Sequence, residues 1–455
     1  LMEKEAEVFG PRTISGFLDK VGAEEAMQAD QVVWSEQGRL HLSYACTLTT
    51  LAGGSSTNGG LITITDHIDE PAVYAAGSHG VRVNDTVIIA HSSGVVKALV
   101  VHVATDAISV EPYGVANLNA LTASATDAKV FVYGSEFAKG KSYNSAAAAA
   151  TDQRGANEPS FKSYTNKPII LKDYYEVSGS DASRIGWVEV AAEDGQSGYL
   201  WYLKAEADTR ARFNDYLEMA MIEGVKGSNT NAVDTFLGGV VAGNDELVGT
   251  EGLFAAIESR GNLTSGVTGV NAATDLAEFD AILAEFDKQG AIEENMMFVN
   301  RATSLAMDDM LASMNSYGAG GTSYGVFDNS EDMALNLGFS GFRRGSYDFY
   351  KSDFRYLNDF ATRGGINAAN SAAAIRGVVI PAGTSTVYDQ QLGKNLKRPF
   401  LHVRFRASAT DNRRMKTWTT GSVGAATSAL DAMSIHMLTE RCLITQGANN
   451  FMLMK

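Results

Sequence analysis

The chain has 455 residues, of which 45% are hydrophobic and 20% are charged, and this balance is typical of an ordered protein with two or more domains. The formal net charge of −16 disfavours a protein that wraps nucleic acid, because phosphate contacts require a cationic surface. No apolar run approaches the roughly 20 residues that a membrane-spanning helix needs, so no membrane partner is expected.

The first 45 residues are predicted to form an arm. Gly10, Pro11, Gly16 and Gly22 interrupt scattered apolar residues, which favours extended chain with one short helix. The sequence becomes strand-like only at Leu40–Leu51. An apolar arm without a local core must pack on the rest of its own chain or on a neighbouring copy.

The next region is rich in β-forming residues. After the glycine-rich loop Gly53–Gly60, five short runs of β-branched and aromatic residues follow at regular spacing up to Ser135. This pattern predicts a small β-barrel or sandwich at about residues 61–135. Within it, the sequence around His91–Gly94 predicts a hairpin with a glycine-containing loop.

A long helix is predicted from about Gly198 to Lys226. Its residues are mainly good helix formers, and it would rise roughly 40 Å at 1.5 Å per residue. Its apolar residues do not form one narrow stripe, so more than one side of the helix is expected to be covered. Two readings remain open: a core helix of an α/β enzyme, or a spine that crosses one domain and touches neighbouring copies.

A helix, a buried strand and a second helix follow, which is the pattern of an α/β core. The first helix, Asp275–Lys288, is the cleanest amphipathic helix of the chain, with Asp275 predicted to cap its start and Gly290 to end it. The strand is Met296–Asn300 and the second helix is Thr303–Met314. The apolar face of the first helix comprises Leu276, Phe279, Ile282, Leu283 and Phe286.

No motif argues for catalysis, a metal or a cofactor. The seven histidines are scattered, and none has the spacing of a metal site. The adjacent carboxylates Asp308 and Asp309 are interpreted as solvated charge rather than as an acid and a base. Cys46 and Cys442 lie far apart in sequence and are predicted to be free thiols in a reducing cytoplasm.

The segment Lys394–Lys416 is strongly basic, with Asp411 as its single acidic residue. Apolar residues at 401, 403 and 405 alternate with basic residues at 402, 404 and 406, which predicts a strand with one buried and one cationic face. That face is either simply solvated or forms ion pairs between subunits. The candidates for inter-subunit contacts are Arg398, Arg404, Arg406, Arg413 and Arg414.

Three stretches, taken in order, resemble major capsid proteins of tailed phages with the Hong Kong 97-like fold. They are EPSFKSYTNKPIILKDYYEVSGSDASRIGWVEV, the helix GYLWYLKAEADTRARFNDYLEMAMIEG, and DLAEFDAILAEFDKQGAIEENMMFVNRATSLAMDDML. Within this family the chain looks most like the capsid proteins of crAss-like and related podoviruses. The resemblance covers about Glu158–Lys455 in the order of elements.

The resemblance implies an α+β fold with an all-β insertion in the extended loop. The implied domains are an N-terminal arm at 1–45; an extended loop at 46–195 with the barrel-like insertion at about 61–135; the spine helix and peripheral-domain elements at 196–270; an axial α/β domain at 271–390; a peripheral-domain basic strand at 391–420; and a C-terminal return to the axial domain at 421–455.

The resemblance also implies a structural function without catalytic residues. Such a protein self-assembles through hexamers and pentamers into the icosahedral shell of a tailed double-stranded DNA phage, and it encloses DNA without sequence-specific binding. Portal, scaffold and decoration proteins are its expected partners. Its expected location is the virion, after assembly in the host bacterial cytoplasm. The alternative is a decoration or adhesin-type binding protein that uses the β-rich region.

Overall fold

The chain forms two compact units, each of which can be described by itself. One unit is Ser35–Ser163, and the other joins Leu1–Trp34 to Tyr164–Lys455. The computed structural model describes residues 16–18, 23–37, 41–53, 58–68, 76–122, 126–141, 161–182, 190–191, 197–198, 201–227, 249–290, 292–314, 341–369, 373–382, 384–389, 394–423 and 426–455. Residues 1–15 of the predicted arm therefore lie outside the described part.

The described part of the arm packs on its own chain. Phe17 and Leu18 are buried in the same core cluster as Leu217 and Met221 of the long helix. The carboxylate of Glu218, on that helix, accepts hydrogen bonds from the backbone N–H groups of Gly16 at 2.6 Å and Phe17 at 3.3 Å. Two strands follow, β1 (Ala23–Met27) and β2 (Val32–Gln37).

The unit Ser35–Ser163 contains a closed barrel, with strands paired in the order β3-β4-β7-β6-β5-β8. The strands are β3 (Ser43–Thr50), β4 (Gly60–His67), β5 (Asp85–His91), β6 (Gly94–Val103), β7 (Ala107–Pro112) and β8 (Ala128–Ser135). The predicted hairpin is present, since His91 pairs with Gly94 at the end of the β5–β6 ladder.

The barrel has six strands rather than the five predicted, and it begins at Ser43 instead of about residue 61. The additional strand β3 pairs with β4 on one side and β8 on the other, and so it closes the barrel. Its alternate side chains Tyr44, Cys46 and Leu48 point into the barrel core and are buried. The part of the predicted strand-like run that forms β3 therefore belongs to the barrel and not to the arm.

The long helix is shorter than predicted. After the barrel come β9 (Phe161–Asn166), β10 (Ile169–Ser178), α1 (Gly179–Ala182), β11 (Val190–Ala191), β12 (Ser197–Gly198) and α2 (Trp201–Glu223). Strands β2 and β9 form a two-stranded sheet, and the boundaries between the two units fall within them. Phe213, Leu217 and Met221, each four residues apart on α2, form a buried face.

The remaining elements contribute to two large sheets and form one further two-stranded sheet. The first group is α3 (Leu253–Arg260), β13 (Asn262–Thr264), α4 (Ala272–Gln289), β14 (Glu294–Val299) and α5 (Arg301–Met314). The second is β15 (Gly341–Arg344), β16 (Tyr347–Asp353), α6 (Arg355–Asn358), α7 (Arg363–Ala369) and β17 (Gly377–Pro381). The last is β18 (Thr384–Asp389), β19 (Lys394–Pro399), β20 (Leu401–Arg406), β21 (Lys416–Gly421), β22 (Ala432–Thr445), the 3-10 helix Ala448–Asn450 and β23 (Met452–Met454).

A five-stranded sheet gathers strands from the whole length of the chain. Its order is β1-β20-β22-β10, and β21 pairs with β22 beside β20. Strand β1 runs parallel to β20, whereas β10, β20 and β21 run antiparallel to β22. Helix α2 packs against one face of this sheet, where Leu217 and Met221 share a core cluster with Leu401, Val403 and Leu443.

A six-stranded sheet in the order β13-β23-β17-β14-β16-β15 forms the second core of this unit. Helices α4 and α5 cover it, and the predicted apolar face of α4 is directed inward, with Phe279, Ile282 and Phe286 buried. Gly290 ends α4 in the left-handed conformation, as predicted. The predicted cap at Asp275 is wrong, because Asn271 caps the helix by accepting from the Thr274 N–H at 2.9 Å.

The C-terminal segment divides between both sheets. Strand β23 lies in the six-stranded sheet. The 14-residue strand β22 lies instead in the five-stranded sheet. Within residues 391–420 the single predicted strand is replaced by β19, β20 and β21.

Candidate functional site

The basic segment meets the arm at one edge of the five-stranded sheet. Strand β1 pairs with β20 in parallel register, so that Glu24 lies opposite Val403 and Glu25 opposite Arg404. Two acidic residues of the arm are thereby placed next to the basic strand. We refer to Arg404, Arg406, Arg413 and Arg414 as the arginine cluster.

The two arginines of β20 bind carboxylates on both sides. Arg404 pairs with Glu25 of β1 at 3.3 Å. Arg406 donates from Nε to Glu440 of β22 at 2.8 Å, from Nη1 to the Gln28 carbonyl at 3.2 Å, and from Nη2 to Asp30. A guanidinium group can make these contacts together because its five N–H donors point in fixed directions. Arg406 therefore links the central strand β22 to the loop after β1.

The other two arginines complete the network. Arg413 pairs with Glu440 at 2.7 Å, so this carboxylate, with only 7% of its side chain exposed, contacts two guanidinium groups. Arg414 pairs with Glu24, which also accepts from Arg441 of β22 at 2.8 Å. A buried carboxylate such as Glu440 requires such partners, because an unpaired charge away from water is strongly destabilising.

The electrostatics of the site follow from these contacts. The hydrogen bond from Arg406 to Asp30 raises the pKa of the guanidinium above its usual range, while partial burial acts in the opposite direction and Glu440 adds to the increase. Nearby, the hydrogen bond from Lys416 lowers the pKa of Asp411 below its usual range. Both pKa shifts favour the charged forms of Arg406 and Asp411.

The structure places the predicted contact residues on their own chain. Each member of the arginine cluster has a carboxylate partner within the chain. The fifth candidate, Arg398, lies in β19 opposite Ser385, and its side chain is outside the described part. The described candidates pair with Glu24, Glu25 and Glu440, so the immediate partners of this basic surface are the arm and β22.

The predicted alternation along β20 is only partly correct. Leu401 and Val403 are buried as expected, but His402 is also buried and does not contribute to a cationic face. His402 lies opposite Ile444 of β22, which belongs to a second apolar cluster with Met27 and Trp34. This end of β20 is covered on both faces, because the arm and β2 pack over the face opposite α2.

Sequence reasoning did not find the acidic half of the network. Glu24, Glu25, Asp30 and Glu440 show no pattern that distinguishes them from other surface acids. Their partners lie far away along the chain, since Arg406 and Asp30 are 376 positions apart. The sequence of the arm shows more acidic than basic residues. This excess indicates that the arm could pair with basic residues, but it does not identify which ones.

Two structural features, clusters of metal-binding side chains and long apolar helices, are absent from the part of the chain that the structure describes. Among those residues, no group of three or more His, Cys, Asp or Glu side chains could hold a metal ion. None of the described helices is long and apolar enough to cross a membrane. Both cysteines are buried free thiols, and burial raises the pKa of each to about 12.

The chain is similar to solved structures from several phages. A chain of Microbacterium phage Oxtober96 aligns over 100% of this chain and 95% of its own length, with 8% identity and a TM-score of 0.38. The capsid structure of the cyanophage P-SCSP1u covers 70% of this chain and 80% of its own, with 8% identity and a TM-score of 0.35. The mature capsid of bacteriophage PhiM1 covers 69% and 78%, with 9% identity and a TM-score of 0.33.

No family model matches the sequence, and no curated protein matches it. Phage capsid structures are thus among the solved structures to which the chain is similar, at identities near one tenth. Because each of these TM-scores is below 0.5, we draw the proposed function from the residues and elements of this chain.

Proposed function

We propose that this chain is the major capsid protein of a tailed double-stranded DNA phage, with the Hong Kong 97-like fold. Copies assemble through hexamers and pentamers into an icosahedral shell that encloses the genome. Its role is structural rather than catalytic, and its location is the virion after assembly in the host cytoplasm. Portal, scaffold and decoration proteins are its proposed partners.

The observation that carries this proposal is the way α2 and the arm are combined. The 23-residue helix packs across a sheet whose strands come from the arm, from the segment before the helix, and from the end of the chain. A second sheet with α4 and α5 forms a separate core. This arrangement supports the order of elements that the sequence resemblance implies: arm, extended loop, spine helix, peripheral domain and axial domain.

In this proposal each sheet corresponds to one capsid domain. The five-stranded sheet with α2 is the peripheral domain, and the six-stranded sheet with α4 and α5 is the axial domain. The barrel unit Ser35–Ser163 is an insertion in the extended loop. The affiliation with crAss-like and related podoviruses rests on the sequence resemblance alone.

The arginine cluster is proposed to fasten the arm, and through the arm to influence contacts between subunits. Four described guanidinium groups are engaged by carboxylates of the chain itself. A cluster neutralised in this way would not hold a packaged polyanion tightly, because phosphate binding needs uncompensated positive charge. The inter-subunit contacts of these residues and of Arg398 stay a prediction.

Assembly of the purified protein tests the proposed function directly. The full chain would be expressed alone and with any co-encoded scaffold protein, and the particles would be examined by negative-stain electron microscopy and sedimentation velocity. Closed shells or regular hexamers and pentamers are expected. A protein that stays monomeric at high concentration with the scaffold present would contradict the proposal.

A decoration or adhesin function is the second candidate, and one observation favours it. The barrel is a compact unit with exposed aromatic rings on its outer surface, including Tyr113, Phe131 and Tyr133. Exposed aromatic clusters are typical of binding surfaces. Binding of the isolated unit Ser35–Ser163 to preformed phage shells or to host cells, without assembly of the full chain, would favour this alternative.

A further inference from the structure

Three aromatic rings form a row across the five-stranded sheet. Tyr174 of β10 and Trp418 of β21 both lie directly opposite His436 of the central strand β22. The ring centroids of Tyr174 and His436 are 6.0 Å apart, and those of Trp418 and His436 are 5.2 Å apart. The planes differ by only 25° and 19°, so the rings are nearly parallel. We call these three residues the aromatic row.

The row occupies the face of the sheet opposite α2. Side chains alternate along β10, and Asp173, next to Tyr174, points toward α2 and pairs with Arg212 at 3.6 Å. On the face with the row, Tyr174 is 60% exposed, Ile170 is 50% exposed and Trp418 is 37% exposed. Thr420 and His436 are hydrogen-bonded to each other at 2.7 Å, which fixes the central ring. Large apolar side chains at such exposure, in one continuous row, are characteristic of a binding surface.

The charges near the row are balanced. On this face the strands of the sheet carry four basic and three acidic side chains, and one basic and two acidic side chains of the adjoining loops join them; most of these groups already pair with each other. The basic ones are Lys172, Arg404, Arg406, Arg413 and Lys416, and the acidic ones are Glu25, Asp30, Glu176, Asp411 and Glu440. This neutrality contrasts with the net charge of −16 of the whole chain.

We propose that the aromatic row is a contact surface for a second copy of this chain. Two copies that each carry a charge of −16 repel one another, and the repulsion is smallest where a locally neutral surface is brought to the interface. Aromatic residues at the centre and paired charges at the rim also match the usual composition of protein interfaces. This inference rests on the proposed shell function and names one surface through which shell subunits associate.

A single-stranded nucleic acid is the next candidate, because bases stack on exposed aromatic rings of sheets. The charges disfavour it. Lys416, two residues before Trp418, already donates to Asp411 at 2.8 Å. Glu176, two residues after Tyr174, adds a carboxylate that accepts from Ser434 at 3.0 Å. A phosphate backbone following the rings would meet as much negative as positive charge.

The test compares three forms of the full chain: wild type, the double variant Tyr174→Ala with Trp418→Ala, and the control Phe360→Ala. Phe360 is 84% exposed in the same unit and lies outside the aromatic row, so the control removes an exposed ring without touching this surface. Self-association is measured by sedimentation velocity and shells are counted by negative stain, with a thermal melt to verify folding. The double variant should fold normally and need roughly tenfold or more higher concentration to associate, since interface aromatics are common hot spots.

A second measurement reports the surface itself. In a Lys172→Cys variant the new thiol lies in the row of side chains beside the rings, while the two native thiols are buried. Maleimide labelling of this thiol should be fast in the dissociated protein and slow in the assembled one. Unchanged labelling on assembly, together with normal assembly of the double variant, would overturn the inference and leave the shell function standing.

The remaining outcomes separate the two proposals. If the wild type forms only small oligomers that the double variant abolishes, the contact surface stands and the shell function fails. If the wild type stays monomeric, both fail. Saturable quenching of tryptophan fluorescence by a single-stranded oligonucleotide, lost in Trp418→Ala, would reassign the row to nucleic acid.

Discussion

The barrel and the five-stranded sheet are built in opposite ways from the sequence. The barrel uses consecutive strands between Ser43 and Ser135, so most of its partners are near neighbours along the chain. The sheet takes β1 from the arm, β10 from the middle, and β20 and β22 from the last sixty residues. The barrel depends on local pairing, whereas the sheet depends on contacts that close loops of several hundred residues.

This difference affects how each region is stabilised. Local strand pairs cost little loop entropy, so the barrel is expected to fold quickly and by itself. The sheet can form only after the C-terminal strand β22 is in place, because β22 pairs with β10, β20 and β21. We therefore expect substitutions in the barrel to destabilise the barrel alone. Substitutions in the sheet should also weaken the packing of the arm and the assembly of the chain.

The largest expected effect comes from removing one barrel strand. A fragment of residues 35–163 should give a cooperative β-type thermal melt, because it contains all six barrel strands. A matched fragment of residues 53–158 lacks β3, which bridges β4 and β8, and should not melt cooperatively. Far-UV circular dichroism measures both. Equal melting of the two fragments would show that closure by β3 is unnecessary.

A core substitution in the six-stranded sheet should have the next largest effect. Phe279 of α4 is fully buried, with its ring centroid 5.3 Å from that of Phe342 and 5.2 Å from that of Phe349. Phe279→Ala should lower the free energy of unfolding by about 3–5 kcal/mol, as large-to-small changes in cores do.

Urea denaturation of the full chain measures this loss. The exposed Phe360 provides the matched control, since Phe360→Ala should change the free energy of unfolding by less than about 0.5 kcal/mol. A loss below about 1 kcal/mol for Phe279→Ala would mean that the α4 face is less closely packed than its burial indicates.

The same difference explains what could be predicted from the sequence. The β5–β6 hairpin, the apolar face of α4 and the end of α4 at Gly290 are encoded by residues within a few positions of each other. The periodicity of hydrophobic residues and the residue types at turns are sufficient to predict features of this kind. The coarse division into a β-rich region, a long helix and an α/β core follows from the same local signals.

The sequence-based predictions were wrong or incomplete mainly where a residue's position depends on partners far away along the chain. Strand β3 is assigned to the barrel by its pairing with β8, 80 or more positions away. Asp275 was a reasonable cap by sequence, but Asn271 lies one turn earlier, and the Asp275 carboxylate instead accepts from the Gly269 N–H at 2.9 Å. The carboxylates that bind the arginine cluster had no local signal, and neither did the aromatic row, whose members Tyr174 and Trp418 meet only through His436.

Charge reversal in the arginine cluster tests the dependence of the sheet on distant contacts. In Arg404→Glu with Arg406→Glu, Glu25 would lose its ion pair with Arg404 and Glu440 would keep Arg413 but lose Arg406, and both would face new carboxylates. We expect a loss of roughly 2–4 kcal/mol, less than for a fully buried pair because both arginines are partly exposed. Shell assembly should be blocked or weakened even when no DNA is present.

Lys288→Glu is the matched control, because Lys288 forms an exposed pair with Glu285 and should contribute little. Urea denaturation and negative-stain counting of shells measure the two effects. If the double variant is stable and assembles normally but packages DNA poorly, the basic strand contacts the genome, and its proposed role in fastening the arm is wrong.

The smallest expected effect on stability comes from the ionisation of the two native thiols. These thiols also allow the barrel and the sheet to be compared directly. Cys46 lies in the barrel strand β3 and Cys442 in the sheet strand β22, and both are fully buried. Burial raises the pKa of each thiol from 9.0 to about 12, so both stay protonated and unreactive in the folded protein at pH 8. In the unfolded chain they ionise above about pH 9, so the free energy of unfolding should fall as the pH rises from 9 toward 12.

Alkylation at pH 8 in low concentrations of urea then reports the opening of each region separately, with Cys46→Ser and Cys442→Ser used to assign the signals. In the variant Arg404→Glu with Arg406→Glu, labelling of Cys442 should accelerate strongly, because it lies opposite Arg404 in the β20–β22 ladder. Labelling of Cys46 should stay at the wild-type rate, because the barrel closes through its own strands. Equal acceleration of both thiols would mean that the barrel and the sheet open together, and that the contrast between local and long-range construction does not govern their stability.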